Sequence, residues 1–301
     1  MLVTGAGGFL GAATVRRLVA LGARVRAWLA PAPSECLCAP PSEVDVIYGD
    51  VADPHAARGA LRGIDCVIHA AGPRSTSQSF ALPALYLRAH AVGTATIVEQ
   101  CLALGVARLV YVSTARVYDR ATAPIAEDHP RVPSSPLGAA ALAAEHVLES
   151  IATESGLHAT IVRPFSAYGA GASRETLIAS VLATIDRNAI PQLADLRPVR
   201  DFCDVDDLAD GIVRAACRTT RAIRAYNLCT GRGLAVLDAV CTILAAARRP
   251  DDAIRQRGAH RPGAEVLYLV GDPARAEAEL GFRARTTFEA GVRRLLDERA
   301  V

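Results

Sequence analysis

Short apolar segments alternate with amphipathic stretches through the first two-thirds of the chain, and this alternation limits the folds open to it. The apolar segments are bounded by Gly, Asp or Pro and indicate buried parallel strands, namely Met1–Thr4, Arg24–Leu29, Val44–Tyr48, Cys66–His69, Leu109–Ser113 and Ala159–Arg163. Helical periodicity fills the intervals at Ala12–Leu21, Pro54–Leu61, Leu85–Leu104 and Gly138–Glu154. This spacing predicts an α/β fold with a doubly wound parallel sheet and right-handed crossovers.

A glycine-rich turn joins the first predicted strand to the first predicted helix. Residues 4–11 are Thr-Gly-Ala-Gly-Gly-Phe-Leu-Gly, so Gly5, Gly8 and Gly11 recur at every third position. This spacing allows a tight turn, brings bare backbone to a pyrophosphate and places the phosphates against the helix N-terminus. It predicts a dinucleotide site, and the alternative is a glycine-rich turn that binds no ligand.

After residue 165 the alternation of predicted strands and helices becomes less regular. Longer connections around 168–174 and 189–201 are followed by helical patterns at 205–217, 234–248 and 273–280. We therefore expect a Rossmann-type dinucleotide-binding domain over residues 1–165, to which 203–230 return. The remainder, 166–202 and 231–301, is expected to form a smaller, partly interleaved C-terminal substrate lobe.

The tip of the second predicted strand bears on the choice of cofactor. It carries Trp28-Leu29-Ala30-Pro31, without the carboxylate with which NAD sites bind the ribose diol. Nothing in this tetrapeptide repels a 2′-phosphate, so NADP(H) is expected to be preferred over NAD(H). Asp50 and Val51 follow the third strand and are expected to meet the adenine, with a strand-end cap as the alternative role for Asp50.

A series of motifs, in this order, resembles the extended short-chain dehydrogenases/reductases, the NAD-dependent epimerase/dehydratase family. The motifs are TGAGGFLG (4–11), GDV (49–51), VIHAAG (67–72), Gly93-Thr94, LVYVSTARVY (109–118), IVRPFSAYG (161–169), RDFCDVDDLA (200–209) and YNLCTG (226–231). Beyond the three glycines and the pair at 50–51, the resemblance implies further cofactor contacts by Phe9, Leu10, Ala70, Ala71, Gly72 and Pro164.

The resemblance also implies a Tyr-x-x-x-Lys pair that this chain lacks. In the family the tyrosine exchanges a proton with the substrate oxygen, and the lysine holds the nicotinamide ribose. The alignment places Leu137 at the tyrosine and Ala141 at the lysine, and all 33 Lys and Arg positions of the chain are arginine. Loss of a general base costs roughly 10²–10⁴-fold, which disfavours epimerisation and dehydration. Carbonyl reduction depends mainly on the position of the nicotinamide and tolerates the loss better.

These residues predict an NAD(P)H-dependent ketoreductase for a small-molecule ketone. Thr114, with Ser113, is expected to polarise the carbonyl, and Ser166 is expected to lie near the nicotinamide. The segments 73–85 and 120–136 are expected to line the pocket with few positive charges, which favours an apolar or aromatic, polyketide-like substrate. A phenol beside the ketone could supply the proton. The alternatives are a catalytically inactive dinucleotide-binding sensor or scaffold, and a nucleotide-sugar epimerase or dehydratase.

Composition and segment lengths limit the binding partners and the cellular location that we expect for the protein. The 33 basic and 31 acidic residues give a net charge of +2, which does not indicate nucleic-acid binding. Because the glycine-rich turn is reached by residue 5, we expect no leader, and because no apolar run approaches the ~20 residues of a membrane span, we expect no membrane-spanning helix. The eight scattered cysteines, including Cys36 and Cys38, predict no metal site. We expect a cytoplasmic monomer or homodimer without a membrane or nucleic-acid partner.

Overall fold

The computed structural model describes residues 1–31, 39–118, 121–193, 195–218, 223–249, 254–256 and 266–299. The strands, in chain order, are β1 (Leu2–Thr4), β2 (Arg26–Leu29), β3 (Asp45–Tyr48), β4 (Cys66–His69), β5 (Arg108–Val112), β6 (His158–Pro164), β7 (Ser166–Tyr168), β8 (Gln192–Leu193), β9 (Val199–Arg200), β10 (Phe202–Asp204), β11 (Arg224–Leu228), β12 (Leu234–Ala235), β13 (Arg255–Gln256) and β14 (Tyr268–Leu269). Seven of these described strands form one sheet in the order β11-β6-β5-β4-β1-β2-β3, and every pair in it is parallel. The predicted Rossmann-type, doubly wound parallel sheet is confirmed.

The helices cover both faces of this sheet and build the later part of the chain. In chain order they are α1 (Phe9–Ala20), α2 (Pro54–Ala60), α3 (Thr76–Ala81), α4 (Pro83–Leu87), α5 (Gly93–Leu104), α6 (Pro136–Ser155), α7 (Leu177–Asp186), α8 (Val205–Ala216), α9 (Val236–Ala246), α10 (Ala274–Leu280) and α11 (Phe288–Asp297). The helix predicted over 85–104 is interrupted by a π-helical turn at Arg88–Val92. A short 3₁₀ helix, Ala115–Val117, follows β5.

Two apolar layers hold the sheet between its helices. On one face α1 and α8 pack together over strand residues such as Val3 and Val110. On the other face α2, α5 and α6 cover Leu2, Val67 and Leu109. Because β1, β4, β5 and β6 are buried on both faces, their sequences are largely apolar rather than alternating. The strand predicted at Val44–Tyr48 was expected to be buried, but β3 lies at the edge of the sheet and Tyr48 is 68% exposed.

The chain leaves the sheet after β6 and returns to it with β11. Residues Arg224–Leu228 pair with Thr160–Pro164 at the edge of the sheet, and α8 lies just before them in the chain. The helices α7, α9 and α11 share a separate apolar cluster that includes Val181, Val240 and Val292. Division of the chain into the two predicted domains stays a prediction.

Candidate cofactor and substrate site

A cavity of about 560 Å³ lies at the carboxyl ends of the central strands. Eight of the predicted site residues line it, and they are Leu10, Ala70, Ala71, Gly72, Ser113, Thr114, Pro164 and Ser166. The opposite wall comes from the later part of the chain, with apolar side chains of Leu177, Ile178, Leu193, Phe202, Val236 and Leu269. Open α/β sheets bind their ligands in the crevice at this end of the strands.

The glycine-rich turn beside the cavity is closed by backbone contacts that exclude side chains. The Gly8 N–H donates to the Gly5 carbonyl at 2.9 Å, and Gly5 has a φ of +64°. A methyl group on Gly5 would lie 2.6 Å from the Ala70 carbonyl oxygen, and one on Gly11 would overlap the Gly5 carbonyl. Gly8 is the N-cap of α1 and makes no side-chain hydrogen bond there. The first N–H groups of α1 can therefore receive an anion.

Arg74 adds a cation to this turn that the sequence analysis did not identify. A methyl group placed on Gly8 would lie 3.3 Å from the Arg74 Nη2, so the guanidinium lies directly over the turn. Guanidinium groups bind phosphate oxygens with charge-assisted hydrogen bonds. Gly5, Gly8, Gly11 and Arg74 together fit the pyrophosphate of a dinucleotide. The sequence carried a signal for this role, because Arg74 follows the VIHAAG motif by two residues.

Asp50, Val51 and Phe9 do not line the cavity. The Asp50 carboxylate accepts from the Ala52 N–H at 2.9 Å and pairs with Arg88 at 2.7 Å. Burial raises the pKa of Asp50, but these two interactions outweigh it and hold that pKa below its usual value. Val51 is buried in the apolar layer that contains α5. Phe9, the first residue of α1, is buried in the apolar layer on the other face of the sheet. The roles of these three residues toward a cofactor stay predictions.

Thr114 and Ser113 both line the cavity, but their hydroxyl groups are engaged differently. The Thr114 Oγ1 accepts a hydrogen bond from the backbone N–H of Arg116 at 3.2 Å, so its own proton can be donated into the cavity. The Ser113 Oγ donates to the Glu145 Oε1 at 2.6 Å. That carboxylate is fully buried and also binds Arg163 at 2.7 Å. Ser113 therefore anchors the end of β5, and Thr114 is the better placed carbonyl donor.

Apolar side chains occupy both positions of the acid–base pair implied by the family. Leu137 lines the cavity and is 5% exposed, and Ala141 is 1% exposed. None of the described residues that line the cavity is a tyrosine. The buried Tyr86 donates instead to the Ser75 carbonyl at 2.6 Å. The described lining of the cavity thus holds no phenol.

His90 lines the cavity, but its imidazole is held by two neighbours. Its Nε2 bonds to the Pro73 carbonyl at 3.0 Å, and its Nδ1 faces the Tyr111 hydroxyl at 3.4 Å. A carbonyl can only accept, so Nε2 carries the proton and Nδ1 accepts. Burial lowers the pKa of His90 below its usual value, which keeps the ring neutral. This arrangement supports a structural role for His90.

The charges around the cavity come only partly from the two segments that were expected to line it. The segment 73–85 contributes Arg74 and Thr76, whereas none of the described residues in 121–136 lines the cavity. The charged side chains that line the cavity are Arg74, Arg116, Arg200, Glu175 and Asp195. Among the described residues of these two segments, Arg74 is the only positive charge that lines the cavity, as expected, whereas the expectation that 120–136 contributes to the lining was wrong for its described residues. Arg116 and Arg200 come from other segments.

The described residues also bear on metal binding and on membrane insertion. These residues hold no group of three or more His, Cys, Asp or Glu side chains that could bind a metal ion, and Cys36 and Cys38 lie outside them. No helix in the same part of the chain combines the length and the apolar character needed to cross a membrane.

Comparisons with known proteins agree with this geometry. Residues 1–229 match the model of the NAD dependent epimerase/dehydratase family, and the chain belongs to that family. The UDP-glucose 4-epimerase of Bacillus subtilis (strain 168) is 28% identical, over 96% of this chain and 93% of its own length. The 2-alkyl-3-oxoalkanoate reductase of Stenotrophomonas maltophilia (strain K279a) is 30% identical, over 98% of each chain. The relatives thus include both nucleotide-sugar epimerases and a reductase.

A solved structure shows the same fold. The UDP-glucose 4-epimerase of Thermus thermophilus, in complex with NAD, matches with a TM-score of 0.90 at 26% identity. The match covers 98% of this chain and 97% of that one. The predicted family and fold are therefore confirmed.

Proposed function

We propose that the protein is an NAD(P)H-dependent ketoreductase that reduces a ketone of an apolar or aromatic, polyketide-like substrate in antibiotic biosynthesis. One observation carries the proposal. The glycine-rich turn, with Arg74 over Gly8, fits a pyrophosphate, whereas the resemblance aligns the apolar Leu137 and Ala141 with the acid–base pair of the family. A dinucleotide, when bound, supplies the hydride. This arrangement supports carbonyl reduction, which depends mainly on the position of the nicotinamide, over epimerisation and dehydration, which need a base.

Thr114 is assigned to the carbonyl oxygen of the substrate. Its hydroxyl, held on one side by the Arg116 N–H, donates a hydrogen bond that strengthens as negative charge develops on that oxygen. Ser113 supports this position through Glu145. Ser166 is assigned to the nicotinamide carboxamide or the substrate. Further contacts with the cofactor are assigned to Leu10, Ala70, Ala71, Gly72 and Pro164.

The proton comes from the phenol of the substrate or from water. A ketone beside a phenol carries an internal O–H···O=C hydrogen bond. The alkoxide that hydride addition forms therefore lies next to the phenol, which is a stronger acid than the alcohol product. The enzyme then needs no tyrosine. In lacking the Tyr/Lys pair, and in its arginine-rich, lysine-free composition, the chain resembles the angucyclinone ketoreductase of simocyclinone biosynthesis.

We propose NADP(H) as the preferred cofactor and a monomer or homodimer as the working state. The tip of β2 continues as Ala30-Pro31, without a carboxylate to repel a 2′-phosphate. The solved epimerase from Thermus thermophilus is in complex with NAD, which makes NAD(H) the competing choice. Fluorescence titration with NADPH and NADH measures the preference, and tighter binding of NADH would refute it.

The reductase proposal is tested by incubating the protein with NADPH and a panel of aromatic polyketide ketones. We expect loss of the reduced-cofactor absorbance and formation of the alcohol. Methylation of the phenol next to the ketone should greatly reduce turnover, and undiminished turnover would exclude that phenol as the proton source. Cofactor binding without oxidation by any ketone would favour a sensor or scaffold instead.

Nucleotide-sugar chemistry is the second candidate. The epimerase relatives favour it, and the three arginines of the cavity could meet a diphosphate. Incubation with UDP-glucose and the oxidised dinucleotide, followed by chromatography, distinguishes the two functions. Formation of UDP-galactose at a catalytic rate would overturn the reductase proposal.

A further inference from the structure

We propose that Arg116 stabilises the negative charge that forms on the substrate during reduction, and that it thereby selects ketones with a neighbouring phenol. The inference rests on the proposed reductase function and adds a catalytic residue to it. Arg116 lines the cavity together with Thr114 and Leu137. It thus joins the proposed carbonyl donor to the wall where the family has its tyrosine.

The local backbone fixes where Arg116 stands. It is the middle residue of the 3₁₀ helix, between Ala115 at 2% and Val117 at 0% exposure. Those two apolar side chains anchor the turn in the core and leave Arg116 at the cavity. Its N–H donates to the Thr114 Oγ1 at 3.2 Å. The same short turn therefore orients the hydroxyl and carries the cation.

Gly138 allows this turn to lie against the start of α6. A methyl group on Gly138 would overlap the Arg116 carbonyl oxygen and would lie 2.8 Å from the Pro133 Cβ. The contact is possible because glycine has no Cβ. Leu137 precedes Gly138 and faces the cavity. The backbone of Arg116 is therefore held next to the position from which the tyrosine is missing.

The other two arginines of the cavity serve different parts of it. Arg74 lies over the glycine-rich turn. Arg200 donates to the carbonyl oxygens of Val199 at 3.0 Å and Leu267 at 3.5 Å, within the later part of the chain. Of the three cations, Arg116 is the one whose backbone contacts the proposed carbonyl donor.

The acidic side chains of the cavity have partners of their own. Asp195 pairs with Arg197 at 2.7 Å. Glu175 accepts from the Gln78 Nε2 at 3.3 Å. His90, the remaining titratable residue of the lining, is neutral through burial. The described lining thus offers an anion more cationic than anionic neighbours.

In the proposed reduction, the phenol of the substrate acts as the acid. The carbonyl carbon receives a hydride from the reduced dinucleotide, the C=O π bond breaks, and its electron pair goes to the oxygen. The phenol proton passes to that oxygen, which yields the alcohol and a phenolate, and the phenolate takes a proton from water on release. Arg116 cannot be the donor, because a guanidinium stays protonated in proteins. A permanent cation stabilises the phenolate without competing for the proton.

The test uses 8-hydroxy-1-tetralone as substrate and its alcohol product as a spectroscopic probe. With oxidised dinucleotide present, absorbance titration of the bound product reports the pKa of its phenol. In the wild type we expect that pKa to lie about one to two units below its value in solution. Arg116→Gln should abolish the shift and lower kcat about 10–100-fold, and Arg116→Lys should restore part of both. Arg293→Gln, on the exposed face of α11, is the matched control.

Each outcome decides one of the two claims. An unshifted phenol pKa in the wild type, failure of the product to bind, or an Arg116→Gln variant with an unchanged pKa and kcat within twofold would overturn the role of Arg116. If the pKa of the bound phenol is lowered but the protein reduces none of the tested ketones with NADPH, the reductase function would be overturned instead. If Arg116→Gln does not fold, the comparison of Arg116→Lys with the wild type carries the same readout.

Discussion

Leu137 and Ala141 show that the family's acid–base pair has not been exchanged for similar residues. The chain uses arginine at all 33 of its Lys and Arg positions, so a compositional preference alone would place arginine at 141. Instead Ala141 is buried in an apolar cluster with Val117 and Phe165. A cation there would lack both space and a partner in that cluster. Under the proposed function, the proton is therefore transferred without this pair.

Thr114 is the residue whose hydroxyl the proposed reaction needs most. Thr114→Val keeps the shape but removes the donor to the carbonyl, and we expect kcat to fall about 10–100-fold. Thr114→Ser keeps the hydroxyl and should stay within a few-fold of the wild type. Steady-state NADPH oxidation measures both variants. Equal activity of the valine and serine variants would contradict the assignment.

Arg74 is expected to contribute to cofactor binding rather than to the chemical step. Arg74→Ala removes the guanidinium over Gly8 and should raise the Kd of NADPH about 10-fold or more, with a weaker dependence on salt. Fluorescence titration at several salt concentrations measures this. Arg293→Ala, which removes an exposed arginine from α11, should leave the Kd unchanged. A Kd for Arg74→Ala equal to that of the control would place the pyrophosphate elsewhere.

At the scale of elements, continuous apolar runs made the central strands predictable. The predicted Cys66–His69 is identical to β4, and the predicted Ala159–Arg163 lies within β6. These strands are buried on both faces, so their signal is local. The helix predicted over 85–104 was different, because a π-helical turn at Arg88–Val92 adds a residue without ending the apolar pattern.

Other parts of the structure gave weaker signals or none. The helices α7 and α11 were not predicted, although both bury one face against α9. The sequence motifs did predict the cavity residues at the start of α1 and at the ends of β4, β5 and β6, since parallel strands end at one edge of the sheet. They could not place Arg74 over the turn or Arg116 beside α6, because these contacts depend on packing between distant segments.

The junction between the 3₁₀ helix and α6 gives a prediction at this scale. Gly138→Ala places a methyl group against the Arg116 carbonyl, so we expect both a lower Tm and a lower kcat. Gly59→Ala is the matched control, because Gly59 also lies in a helix but has no atom within 4 Å of the added methyl group. That control should stabilise the protein by about 0.5–1 kcal/mol. Thermal unfolding and NADPH oxidation report both effects, and a Gly138→Ala variant that behaves like Gly59→Ala would contradict the close contact.

At the scale of the whole molecule, the packing of α1 against α8 joins the beginning of the chain to a segment about two-thirds of the way along it. Asp210 on α8 binds Arg17 on α1 at 2.7 Å and Arg214 at 2.6 Å. The first of these pairs spans 193 positions in the sequence. It closes the layer on one face of the sheet, where α1 presents the amides of the glycine-rich turn.

The charge of Asp210 makes this junction sensitive to pH. Burial raises the pKa of Asp210, but the hydrogen bonds and charges of Arg214 and Arg17 lower it more, so the folded pKa lies below the usual value of 3.8. A lowered pKa stabilises the fold above the unfolded-state pKa, and this stability is lost as the pH falls through the folded pKa. Asp210→Asn should therefore reduce the free energy of unfolding by about 1 kcal/mol at neutral pH.

The difference between Asp210→Asn and the wild type should shrink as the pH is lowered from about 5 towards 3, because the wild-type carboxyl becomes protonated. Urea unfolding at a series of pH values measures it. Asp128→Asn, at an exposed aspartate, should show a smaller difference throughout. A constant difference between Asp210→Asn and the wild type across this range would mean that the amide disturbs packing, and that the ion pairs do not couple α1 to α8.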